Sequence, residues 1–138
     1  MNTKDVVEEV PEVDDMLEEI FERQALLKRE YDAIERSNGF HVPNEHPVDL
    51  HNRFRQHFLK DFTWRVVEEL GEAMNCLKNK PWKMTHMLTD EDHYKEELAD
   101  TFHFFIELCI NSGIDAKELF TLYFKKSKVN EFRVRSKY

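Results

Sequence analysis

Two pairs of carboxylates stand where carboxylates are out of place. In "EELADTFHFF", residues 96–105, Glu97 and Asp100 lie three residues apart in a largely apolar, aromatic stretch that runs on into "IELCI". In "VVEELGEAMN", residues 66–75, Glu69 and Glu72 repeat the spacing. Residues three apart on a helix share a face, so each pair offers two carboxylates side by side. Removing an ionised carboxylate from water costs on the order of several kcal/mol unless something compensates it. Four of them brought together also repel and raise one another's pKa values unless a cation is present. Mg²⁺ fits that role, being hard, oxygen-seeking and usually held by a few carboxylates, water and substrate phosphates.

Two other readings of the acids stay open. Acids at this spacing commonly mark only a solvated helix face, and that holds most for Glu69 and Glu72. Asp100-x-x-His103 also echoes the Glu-x-x-His pattern of carboxylate-bridged di-iron bundles. Asn75 and Cys76 follow Glu72 where a second histidine would be needed, which favours an all-oxygen site over iron.

The elements that must position these residues are helices. Val13, Met16, Leu17, Ile20, Phe21, Gln24, Leu27, Tyr31 and Ile34 recur at helical spacing, with Gln24 the one polar member, until "SNG" at 37–39 stops the pattern. A second helical stretch, with Pro47 near its start, carries Leu50, Phe54, Phe58, Phe62, Val66, Leu70, Ala73, Met74 and Leu77; its length allows one helix or two. Thr89 with Asp92 resembles a capping box for a third helix, which ends at Gly113. On it Tyr94, Leu98, Phe102, Phe105 and Cys109 form an apolar stripe. A helix apolar nearly all round is buried, by its own chain or by a second copy. Asp115 with Glu118 opens a fourth helix through "AKELFTLYFKKSKV". The expected fold is all-α: one domain over 1–138, an antiparallel bundle of four or more helices completed by dimerisation.

Composition excludes several classes. A net charge of -8 argues against a nucleic-acid or membrane-surface binder, and no apolar run approaches a membrane span. The opening "MNTKDVVEEVPE" is acidic where a secretory leader is basic, and the two cysteines, Cys76 and Cys109, fall within helical patterns. A cytoplasmic protein with reduced thiols is the expectation. The charge is uneven, with an acidic first third and a basic end, "FKKSKVNEFRVRSKY".

"VEELGEAMNCLKNKPWK", "EELADTFHFFIELCINSGI" and "YFKKSKVNEFRVRSKY" together resemble the all-α, dimeric-type dUTP diphosphatases within the MazG-like nucleoside triphosphate pyrophosphohydrolases. The resemblance runs from about residue 62 to the end and extends less fully over the first helix. The acid pattern alone is shared by the whole superfamily. The additions that resemble dUTPase are Asn75, Trp82 with Lys83, His103 with Phe104, and Lys126, Asn130 and Arg133. The resemblance implies Mg²⁺ on Glu69, Glu72, Glu97 and Asp100, with Glu69 also activating the attacking water. It implies a nucleoside pocket lined by Asn75, Trp82 and His103, with Lys83 also binding the nucleotide, base recognition by Gln24, and phosphate and sugar contacts from Lys126, Asn130 and Arg133. It implies hydrolysis of dUTP to dUMP and pyrophosphate by a homodimer or higher homo-oligomer.

The chain departs from that pattern in three places. No asparagine follows Gln24 until Asn38, Val134 stands where glutamine is common, and no glycine precedes the closing Tyr138. These touch base recognition more than metal chemistry, so dCTP or a broader nucleotide set is the alternative substrate, and a non-catalytic helical interaction module the alternative class. Each residue also has a plainer role open to it. Trp82 can cover a core, His103 can be a satisfied buried histidine, Gln24 can bond a backbone carbonyl, Asn75 can support a carboxylate, and the late lysines can complement a helix dipole.

Overall fold

The computed structural model describes residues 2–45 and 47–137. Met1 of the opening stretch and Tyr138, on which the comparison of the chain's end turned, lie outside them. Among the described residues there is no strand: a short 3-10 turn at Thr3–Asp5 precedes α1 (Met16–Ser37), α2 (Arg53–Cys76), α3 (Glu91–Asn111) and α4 (Ala116–Arg135). The chain is the all-helical bundle that its periodicity predicts. No described helix is long and apolar enough to cross a membrane.

Side-chain caps begin all four helices. Asp15, Asn52, Asp90 and Asp115 each accept a hydrogen bond from a backbone N–H of the first turn. Thr89 is therefore not the cap of α3. Asp90 takes that place, its carboxylate bonding His93 N at 3.0 Å, and Glu91 and Asp92 occupy the electropositive first turn. α2 is one helix, unbroken from Arg53 to Cys76.

α2 and α3 form the most extensive pair, α1 lies along α3, and α4 touches α1. The apolar core is small. Phe21, Ile106, Cys109 and Ala116 are buried, with Leu17, Ile20, Ile110, Ile114 and Leu119 around them, where α1, the end of α3 and the start of α4 meet. Further along α2, Phe62 packs edge-on to Phe104 with centroids 6.1 Å apart, and the Arg65 guanidinium lies over the Phe62 ring at 4.6 Å. Both cysteines are free thiols, Cys109 within the core.

Two faces differ from their sequence reading. On α1 the buried residues are Phe21, Gln24, Lys28 and Asp32, whereas Met16, Tyr31 and Ile34 stand exposed. The buried face follows a four-residue step from Gln24, because α3 opposes it with polar residues, Glu107 and Asn111. On α3 the stripe of Leu98, Phe102 and Phe105 is 39–41% exposed, and the same helix turns Glu97 and Glu107 inward. The chain exposes 11570 Å², against the roughly 7,600 Å² that area scaling gives a compact monomer of its mass. Large apolar side chains stand exposed along α4, among them Phe120, Tyr123, Phe124, Phe132 and Val134.

Gly113 ends α3 with φ +79, and a Cβ there would meet Pro47 Cβ at 2.6 Å. Gly39, after α1, has φ +86 but open space around it. Gly39→Ala is expected to cost about 1 kcal/mol, the left-handed backbone penalty alone, and Gly113→Ala about 2 kcal/mol or more. Urea unfolding of the two variants checks this; equal losses would mean that the Pro47 contact imposes nothing.

Candidate metal centre

α2 and α3 bring the two acid pairs together at their seam. Glu69, Glu97 and Asp100 each offer a carboxylate oxygen, and these oxygens lie within 4.8 Å of one another. Glu72 stands beside them, one turn along α2 from Glu69, and its charge acts on both Glu69 and Glu97. Burial and then the charges of Glu72 and Asp100 push the Glu69 carboxyl up to about 7. Burial and the contact with Glu72 raise Glu97 in the same direction. Glu97 is 6% exposed. One of its oxygens meets His93 Nε2 at 3.3 Å, and the other, Oε2, is buried with no hydrogen-bond partner.

An orphaned buried carboxylate oxygen is costly, and here it faces three further carboxylates. A divalent cation resolves both the missing partner and the repulsion. The donor set is all oxygen, which suits Mg²⁺. His103 does not join it. Its Nδ1 is 2.8 Å from Gln24 Oε1, so the Asp-x-x-His echo of an iron site is taken up by a different interaction.

One cavity adjoins the acids and a second lies on the α1 side of α3. One, of about 260 Å³, is lined by Glu72, Asn75, Cys76, Lys78, Met87, Leu88, Asp90 and His93. The other, of about 270 Å³, lies between α1 and α3 and is lined by Ile20, Arg23, Gln24, Ala99, Phe102 and His103. His103, on the wall of the second cavity, lies one helix turn from Asp100. Asn75 and the pair Gln24 and His103 thus line different cavities.

The remaining predicted residues lie on exposed elements. Trp82 is not a core residue: it stands exposed on the 77–90 loop with Lys80 Nζ 5.9 Å from its ring, and Lys83 is exposed beside it. Lys126, Asn130 and Arg133 are exposed on α4 and line neither cavity.

Several buried polar residues carry no signal in the acid spacing. Glu107 is 1% exposed, and burial pushes its carboxyl up to about 6 against the lowering effects of Gln24, Lys28 and Arg65. Lys28 and Asp32 form an ion pair at 2.5 Å with both side chains almost wholly covered. Asn111 is fully buried, its side-chain amide without a partner. The available signal was the four-residue step Gln24, Lys28, Asp32 on α1 facing Glu107 and Asn111 on α3.

The chain is 32% identical over 111 residues to a protein of Enterobacteria phage LZ5 named dCTP pyrophosphatase. The alignment covers 63% of this chain and 64% of that protein, so it spans just under two thirds of the relative's length. No protein-family model matches the chain. No solved structure matches it either.

The raised carboxyls fix the sign of a pH effect. Without a cation, folded Glu69 keeps its proton up to about pH 7, while the unfolded chain releases it near 4.5. The folded state binds more protons in that window, so this group's contribution to stability falls as pH rises from about 5 to 8. In cation-free buffer the melting temperature of Glu69→Gln is expected to gain on wild type as pH rises, by a few degrees at pH 8. A gap that stays constant between pH 5 and 8 would show that Glu69 is not perturbed.

Proposed function

We propose that this chain is a Mg²⁺-dependent pyrophosphohydrolase of the MazG-like kind, acting on a pyrimidine deoxynucleoside triphosphate to release the monophosphate and pyrophosphate. The observation that carries the reading is the convergence of Glu69, Glu97 and Asp100 around a buried, unpartnered carboxylate oxygen. The name of the phage relative supports the reaction class. Its base is cytosine; the pattern of Asn75, Trp82, His103 and the late Lys126, Asn130 and Arg133 points to dUTP. Both are pyrimidines, and a cavity of about 270 Å³ falls just below the usual range for small-molecule sites, a size for a base and not a whole nucleotide.

Each group has a part in this reading. Glu69, Glu72, Glu97 and Asp100 would hold the cation, which when bound would offset phosphate charge and acidify a water. Glu69 accepts the proton of that water as its oxygen joins the α-phosphorus and pyrophosphate departs with the bridging oxygen. Gln24, His103 and Phe102 hold the base one turn from the carboxylates. Lys126 and Arg133 meet phosphate charge from the basic end of the chain.

A second copy of the chain completes the assembly. It would cover the half-exposed Leu98, Phe102 and Phe105 and the apolar side chains of α4, and so account for the area in excess of a compact monomer. Sedimentation velocity is expected to give a dimer or larger species across micromolar concentrations. A monomer there would remove this part of the reading.

Incubation with Mg²⁺ and each deoxynucleoside triphosphate in turn, followed by chromatography, tests the reaction. Turnover of dUTP, dCTP or both to monophosphate and pyrophosphate is the expected result. Glu69→Gln should lower it by about a hundredfold or more while the variant stays folded. A folded wild type that turns over no nucleotide would overturn the enzyme reading in favour of a helical interaction module.

A further inference from the structure

The wall of the α1–α3 cavity is a chain of hydrogen bonds whose direction is fixed from one end. Glu107, 1% exposed, lies behind Gln24 and has Lys28 and Asp32 on α1 and Arg65 on α2 around it. Its ionised carboxylate can only accept. Gln24, 3% exposed, therefore turns its amide nitrogen to Glu107, with Nε2 donating to Oε2 at 3.1 Å. That leaves Gln24 Oε1 toward His103, 2.8 Å from Nδ1. An amide oxygen can only accept, so Nδ1 must carry the proton, and the neutral ring then holds its lone pair on Nε2. A carboxylate two side chains away thus decides which hydrogen-bonding sense His103 offers to the cavity it lines.

We propose that Glu107 is a positioning residue that sets this polarity, so that His103 presents Nε2 as an acceptor and the pocket reads its base through an N–H donor, the exocyclic amino group of cytosine, in preference to the keto oxygen at the same ring position of uracil. The selectivity part rests on the nucleotide reading above; the polarity of His103 does not. A carboxylate is needed at 107 for a specific reason. A glutamine of the same shape can offer Gln24 either a donor or an acceptor. It would let the Gln24 amide turn over, return Nδ1 to an acceptor and place the proton on Nε2, where it would donate to a keto oxygen.

Long-range proton–nitrogen correlation spectra of the wild-type protein at pH 8 read the His103 tautomer directly, without substrate. The Nδ1–H form is expected, and the Nε2–H form would overturn the proposal. Glu107→Gln is expected to shift His103 toward Nε2–H and to lower the ratio of kcat/KM for dCTP over dUTP by about tenfold or more, one mispaired hydrogen bond. The double variant Gln24→Glu with Glu107→Gln restores an obligate acceptor at position 24 and should return the Nδ1–H form, which a merely structural role for Glu107 would not do. An unchanged dCTP to dUTP ratio in a folded Glu107→Gln protein would also overturn the proposal. If the wild type turns over no nucleotide, the nucleotide reading fails by itself, and the tautomer spectra still decide the polarity of His103.

Discussion

A carboxylate withdrawn from water must be met by donors or by a cation, and α3 withdraws two of them, Glu97 toward α2 and Glu107 toward α1. The chain meets them differently. Glu107 has Gln24 as donor and Lys28 and Arg65 as nearby positive charge. Glu97 has His93 at one oxygen, nothing at the other, and three more carboxylates around it. The first solution is closed within the protein. The second is open, and its open position is where a cation of the right hardness belongs. Ordinary stability would select against such a cluster, so its presence is the strongest sign of function in the molecule.

That polar seam shapes the rest of the architecture. Because α3 spends its inward face on Glu97, Glu107 and Asn111, its apolar residues Leu98, Phe102 and Phe105 turn partly outward. α1 answers with Gln24, Lys28 and Asp32, so the apolar packing between α1 and α3 gathers at the end where Phe21, Ile106, Cys109 and Ala116 meet. A single chain with so small an apolar core leaves more surface exposed than area scaling gives a compact monomer of its mass. The same helix carries the carboxylates of the α2–α3 seam and, through Ala99, Phe102 and His103, one wall of the α1–α3 cavity.

Periodicity and punctuation were enough to read the four helices, because caps such as Asp115 and stops such as Gly113 act locally. The acid pairs were legible for a related reason: i,i+3 spacing has one geometric meaning on a helix. What was not legible was which way each helix faces. Hydrophobicity alone assigns Tyr31 and Ile34 to the core and Lys28 and Asp32 to solvent; the reverse holds, because the partner face on α3 is itself polar. Glu107 carries no local signal, since its importance comes from Gln24, 83 positions away. Thr89 was displaced as a cap by its neighbour Asp90, a difference of one residue that sequence cannot resolve between two good capping side chains.

The claim on which the account stands is that the Glu69, Glu72, Glu97 and Asp100 carboxylates hold a divalent cation. Electron paramagnetic resonance of Mn²⁺, which prefers the same oxygen ligands, measures that binding without any substrate. Wild type is predicted to bind Mn²⁺ in competition with Mg²⁺, and Glu97→Gln to lose affinity by about tenfold or more, since it removes the negative charge and one carboxylate oxygen at the buried position that lacks a hydrogen-bond partner. Equal binding by the two proteins, or none by the wild type, would contradict the account at its centre.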